Sequence, residues 1–181
     1  LNASGSAHSI TAEFVPGDIN FNASVSSAPF LQTVNKAILT ITANSFTREY
    51  GDSNPTLTAS YSGFKNGESF ATSDLSGTPG LSTTATPTSS VNGGPYTITA
   101  TVGSLNSGNY TLSVVNGTLT VTQAALTITA DNLSRQYGDA NPTLTATYSG
   151  FKNNEVLGTS DLTGSIDLST TATPNSPVSG S

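Results

Sequence analysis

One stretch of this chain is written twice. Leu39–Ala43, Tyr50-Gly51-Asp52, Asn54–Ala59 and Tyr61–Asn66 return as Leu126–Ala130, Tyr137-Gly138-Asp139, Asn141–Ala146 and Tyr148–Asn153, each 87 residues later and without a gap. Ser82–Pro87 returns at Ser169–Pro174 with the same offset. A period of that length is a whole small domain, not a solenoid unit. The repeat also runs out of phase with the chain. One copy is whole, residues 37–123. The copy opening at Ala124, residues 124–181, lacks the closing strands of the first. Residues 1–36 read as closing strands without an opening. Ser9–Phe14 aligns with Thr97–Val102 at an offset of 88, Asn20-Phe21 with Asn109-Tyr110 at 89, and Val34–Ala37 with Val121–Ala124 at 87.

Period-2 alternation fills both copies. Leu39, Ile41 and Ala43 alternate with Thr40 and Thr42, and Ile98, Ala100 and Val102 alternate with Thr97, Thr99 and Thr101. Leu57, Ala59 and Tyr61 do the same with Thr58 and Ser60. Each run predicts a strand with one face in a core and a Thr-rich face in water, as in antiparallel sheets. Asn116-Gly117, between Leu112–Val115 and Thr118–Val121, predicts a type I′ hairpin, because both residues tolerate positive φ. Asn92–Pro95 predicts another turn. Asn66–Leu75 and Asn153–Leu162 break the alternation. They predict a helical turn or two, with Phe70 and Leu75, or Leu157 and Leu162, facing inward. The fold class is mainly β, in tandem antiparallel modules with at most one short helix each.

Charged residues make up only 9% of the chain, and the net charge is −6. Nucleic-acid binding needs Lys and Arg to neutralise phosphates, and anionic membranes attract the same residues, so both partners are disfavoured. No apolar run approaches the length of a membrane span. Without cysteine there is no disulfide framework, Cys-based zinc site or thiol nucleophile, and no cofactor is expected. Abundant Thr and Asn with no Cys points to an extracellular or cell-surface location. Leu1-Asn2-Ala3-Ser4 carries neither an initiator Met nor a signal peptide, which reads as a processed product or a piece of something longer.

Candidate chemistry is sparse. Asp52 and Asp139, with Asp18 or Asp74, would be calcium ligands. Calcium takes six to eight oxygens, usually from clustered carboxylates, and these are single. Tyr50-Gly51-Asp52 therefore reads as a turn, Gly giving the tight backbone and Asp and Asn bonding to local amides. His8 is the only His and has no Gly-x-Ser-x-Gly elbow to serve. Glu13, Glu49, Glu68 and Glu155 are scattered, and Glu49 becomes Gln136 in the copy, which argues against paired-carboxylate catalysis. Lys36 would suit an isopeptide crosslink, but its counterpart is Gln123. Asn2, Asn22, Asn109, Asn116 and Asn132 head glycosylation triplets that so Asn- and Thr-rich a chain produces by chance. Tyr61, Phe64, Tyr148 and Phe151 sit in alternating runs, which makes them core residues before a carbohydrate platform. No enzyme is expected.

Residues 37–123, and the half copy after them, resemble the MBG (YGX-type) and YDG modules of large bacterial surface proteins. The residues that carry this are Leu39–Ala43, Tyr50-Gly51-Asp52, Asn54–Leu57, Tyr61–Phe64, Tyr96–Ala100, Asn109-Tyr110 and Leu119–Thr122. Residues 1–36 are similar to the end of a bacterial Ig-like repeat, through Ser9–Phe14, Gly17–Phe21 and Gln32-Thr33-Val34. The resemblance implies an Ig-like sandwich or β-grasp-like build, modules strung in adhesins and stalks, and no catalytic residues. The expected role is a structural repeat unit of an extracellular fibre, with self as partner. Ile10, Ala12, Phe14, Phe21, Leu31 and Val34 of one unit would complete a face carrying Leu126, Ile128, Leu144, Tyr148 and Phe151 of the one before it. A single covalent array is the other form of the same role. An adhesin module binding a host glycan or matrix protein is the alternative.

Overall fold

The computed structural model describes residues 7–17, 19–26 and 28–178; Asn2 and Asp18 lie outside them. The described chain is strand and turn, with one 3₁₀ turn at Val91–Gly93. It divides into two compact units. The first takes the residues up to Phe46, Pro55–Thr84 and Pro95–Leu119; the second takes Thr47–Asn54, Ala85–Gly94 and the residues from Thr120 on.

The first unit begins with two short ribbons. β1 (His8–Ile10) pairs antiparallel with β4 (Phe30–Gln32), and β2 (Glu13–Phe14) with β3 (Ser24–Val25). Their apolar residues are exposed, Phe30 to 75%. β5 (Ala37–Ala43) then forms the centre of a three-stranded sheet, between β7 (Ala59–Ser62) and β10 (Tyr110–Val115). β7 is antiparallel to it, with Ile41 opposite Tyr61. β10 is parallel, with Leu112 opposite Leu39. A second sheet has the order β6 (Phe46–Glu49), β11 (Gly117–Thr122), β9 (Tyr96–Thr101), β8 (Gly80–Thr83). β9 packs against β5 and β10.

The alternation sorts most side chains as expected; Val102, expected inward with Ile98 and Ala100, lies past the end of β9 and is exposed. Leu39, Ile41 and Ala43 of β5, Ile98 and Ala100 of β9 and Leu119 of β11 are all buried. Leu39 and Ile41 cluster with Leu75, Leu105 and Tyr110, and Tyr61 and Phe64 pack on the cluster. Full burial of one such aliphatic side chain contributes about 1.5–3 kcal/mol.

One local expectation is overturned and another is met in part. Asn116-Gly117 is no hairpin: β10 and β11 belong to different sheets, and Asn116-Gly117 is the crossover between them. Asn116 Oδ1 accepts the Ala100 amide at 2.9 Å. A Cβ on Gly117 would lie 2.5 Å from the Ala43 carbonyl oxygen. The pair supplies a side-chain acceptor and permits a close backbone approach. Asn66–Leu75, expected to hold a helical turn or two with Phe70 and Leu75 inward, holds one. It turns once, with the Ser73 amide on the Ser69 carbonyl at 2.9 Å, and Leu75 is buried while Phe70 stays 40% exposed.

Asp74 organises the loop before β10. Its carboxylate accepts Ser107 Oγ at 2.7 Å, the Gly108 amide at 2.7 Å and the Asn109 amide at 2.9 Å. Burial pushes this carboxyl up, but those three bonds together pull it below the usual carboxylate range. A lowered folded-state value means the stabilisation is complete above the unfolded value, about 3.9, and is lost as pH falls through the folded value. Asp74 is exposed and solvent screens its bonds, so Asp74→Asn, which offers one acceptor oxygen where two are used, is expected to cost under about 1 kcal/mol at pH 7. Urea denaturation should show the gap between variant and wild type closing below about pH 4.

The second unit contains one further antiparallel pair, β12 (Thr127–Ala130) with β13 (Ala146–Ser149), in which Ile128 stands opposite Tyr148.

Candidate assembly surface

The two copies differ in what they bury. Leu39 and Ile41 are sealed at 0% exposure, whereas Leu126 is half-buried and Ile128 is 45% exposed. Leu75 is buried and its counterpart Leu162 is 41% exposed. In the first copy the cover comes from elements that follow Tyr96, among them Leu105 and Tyr110. In the second unit, Leu126, Phe151 and Leu162 instead line a cavity of about 620 Å³. They are the counterparts of Leu39, Phe64 and Leu75, which cluster with Leu105 and Tyr110 in the first copy. Tyr148 and Phe151 stack at 6.4 Å. Leu144 lines a separate cavity of about 360 Å³ with Leu133 and Val178. The expected acceptor residues thus fall on two cavities and one strand pair.

Of the expected donor residues, Ile10, Phe14 and Leu31 lie on the N-terminal ribbons and Ala12, Phe21 and Val34 in the segments beside them. Ile10 stands opposite Phe30 on β1 and β4, and Leu31 opposite Ser9. Phe14 stands opposite Ser24. Ala12 accepts the Ser26 amide on its carbonyl at 2.8 Å. Ile10, Phe14, Phe21 and Leu31 are half or more exposed, and Val34 is half-buried.

The turn carrying Tyr50-Gly51-Asp52 is built by residues that the strand pattern does not single out. Arg48 is buried. Its Nε donates to Asn54 Oδ1 at 2.8 Å, its Nη1 to the Glu49 carbonyl at 3.0 Å and its Nη2 to the Thr86 carbonyl. Asn54 Nδ2 donates to the Ala85 carbonyl at 2.6 Å. The copy repeats every bond: Arg135 to Asn141 at 2.8 Å, to the Gln136 carbonyl at 3.1 Å and to the Thr173 carbonyl, with Asn141 to Ala172 at 2.7 Å. A guanidinium fork can serve three acceptors at fixed angles, which a Lys cannot.

Against the first turn lies the loop after Phe151. Lys152 Nζ sits 2.9 Å from Glu49 and 3.2 Å from Asp52, and Tyr50 donates its hydroxyl to Glu155 Oε1 at 2.5 Å. All five residues belong to the second unit. Glu49 and Asp52 hold the Lys152 ammonium above its ordinary range, and the Glu155 carboxylate does the same for the Tyr50 phenol. The sequence signal for this cluster was available: four of the five basic residues are two repeat pairs, Arg48 with Arg135 and Lys65 with Lys152, and Glu68 recurs as Glu155.

The remaining candidates take structural places. Asp52 faces Lys152 and Asp74 faces amides, and among the described residues no group of three or more His, Cys, Asp or Glu could hold a metal ion. Lys36 Nζ donates to the Ser107 carbonyl at 3.0 Å. His8 lies on β1 opposite Gln32. Glu13 lies on β2 opposite Val25. Phe64 meets Tyr110 edge-on at 5.7 Å, in the core.

The difference in burial has a direct energetic consequence. Ile41→Ala is expected to cost about 2–5 kcal/mol, the range for truncating a sealed core aliphatic, and Ile128→Ala in the isolated chain under about 1 kcal/mol. Chemical denaturation of the two variants measures both.

The family model of the MBG domain (YGX type) matches residues 39–120 and again residues 126–181. Neither a curated protein nor a solved structure matches the chain. The matched stretches cover most of the sequence and include both Tyr-Gly-Asp turns with their Arg–Asn clamps. The chain belongs to the MBG domain (YGX type) family of bacterial surface repeat modules and carries two of them in tandem.

Proposed function

We propose that the chain is a structural repeat unit of an extracellular bacterial fibre or stalk, extended head to tail by β-strand complementation. In this reading the face of the second repeat is closed by residues 7–36 of the following unit, as β9 to β11 close the first. The observation that carries it is the contrast between Ile41, sealed, and Ile128, 45% exposed, at equivalent positions. The exposed apolar residues of β1 to β4 align with closing strands, so both halves of the contact have surface to lose. Sequestering Ile10, Phe14, Phe21 and Leu31 against Ile128 and Leu162 gains about 1.5–3 kcal/mol for each side chain fully covered. Strand addition also satisfies backbone groups on the open edges of β12 and β13. Donor and acceptor surfaces are different, so the contact is heterologous and propagates as an open filament. The partner is another copy, and the work is mechanical rather than catalytic.

Electron microscopy of the protein, paired with mass analysis under denaturing conditions, tests this. Fibres that dissolve into 18.3 kDa chains are expected for strand exchange between separate chains. Fibres that stay large after denaturation are expected for a covalent array. Ile128→Asp, which leaves the first repeat intact, should abolish fibres of the first kind. Monodisperse monomers at every concentration would contradict the proposal.

A further inference from the structure

The Tyr-Gly-Asp turn occurs twice, once occupied and once empty. At the occupied copy, a Cβ on Gly51 would fall 2.4 Å from Lys152 Cβ, so glycine is required there for contact as well as for its φ of +87°. Lys152 bridges Glu49 and Asp52, and Tyr50 donates to Glu155. The second copy is built to the same pattern. Gly138 has φ +92°. Its amide donates to the Pro174 carbonyl at 3.2 Å, as that of Gly51 does to Pro87 at 3.1 Å. The Arg135–Asn141 clamp repeats the Arg48–Asn54 clamp bond for bond. Yet a Cβ on Gly138 would meet nothing within 4 Å, and Tyr137 is 66% exposed.

The matching plug also occurs twice. Lys152–Glu155 and Lys65–Glu68 form the same loop, with the Glu amide on the Lys carbonyl at 2.9 Å in each and φ of 54° at both Asn153 and Asn66. In the second repeat the plug is seated on Tyr50-Gly51-Asp52. In the first repeat, Glu68 Oε2 accepts the Tyr110 hydroxyl at 2.5 Å, which leaves the other carboxylate oxygen for a second phenol. Lys65 is exposed.

We infer that Tyr137-Gly138-Asp139 is a docking socket for the Lys65–Glu68 loop of a second copy of this chain. Lys65 of that copy pairs with Asp139, and Tyr137 donates to its Glu68. The inference rests on the head-to-tail reading above and adds a second, polar contact at the same junction. Gln136 replaces Glu49, so Lys65 meets one carboxylate where Lys152 meets two. The junction between chains is then electrostatically weaker than the one within the chain. Glu68 has a further role in this arrangement: one oxygen holds Tyr110 of its own closing strand and the other holds the neighbour's tyrosine, which couples closure of a module to docking.

Charge exchange tests the inference. Asp139→Lys and Lys65→Asp, each alone, should weaken self-association about five- to tenfold at low salt, as read by sedimentation. The double variant should return it close to wild type. Circular dichroism checks that each variant folds, and Tyr137→Phe, which keeps the ring and removes only the hydroxyl, provides a second probe and should also weaken association. Assembly that is intact in all four variants would overturn the docking inference and leave strand complementation standing. No assembly by the wild-type chain would overturn both.

Discussion

A β-strand with a fully apolar face is stable only when something covers it, and β5 sets that demand for the whole repeat. Leu39 and Ile41 are sealed in the first copy because β9 crosses β5 and because Leu105 and Tyr110 arrive from later in the chain. The cover is distant in sequence, and β10 joins β5 as a parallel neighbour, which needs a long connection. The opening half of a module therefore cannot finish its own core. The second copy repeats β5 and β7 as β12 and β13 and keeps the clamp around its turn, while its apolar face stays open. Everything proposed about assembly follows from that unmet demand.

Strand positions were legible because Thr and aliphatic residues alternate with so little interruption. Leu39–Ala43 and Tyr96–Thr101 could be assigned by period alone. What failed was pairing. Asn116-Gly117 has the composition of a two-residue hairpin, but composition reports tolerance for positive φ and not whether it is used. Here the glycine lets β11 pass close to Ala43, and the asparagine accepts from Ala100 of β9. A local signal cannot show that the adjacent strands part into different sheets, since that is decided by which faces need burial. The turn after Phe64 was more nearly legible: its polar run closes one helical turn, and too few residues intervene before Leu75 enters the core for the helix to go further.

The polar scaffold was less legible than the apolar one. Arg48, Asn54, Lys65 and Glu68 each look like an isolated surface residue when the chain is read once. Their meaning lies in recurrence at the repeat offset in a chain with little charge to spare. Arg48 fixes a turn through carbonyls of a distant loop, which no strand period reveals. The Tyr50 turn read correctly as a turn; its role as a seat for Lys152 and Glu155 depends on a contact 100 residues away and needed the structure.

Hydrogen exchange followed through assembly tests the central claim most directly. β5 and β12 hold equivalent places in the repeat, but β5 is paired on both edges, by β7 and β10, and β12 on one edge, by β13. If closing strands arrive from a neighbour, β5 should be protected at all concentrations, and β12 should exchange quickly in dilute protein and become as protected as β5 in assembled material. Equal protection of the two strands in the dilute monomer, or a β12 that still exchanges quickly within fibres, would contradict the account.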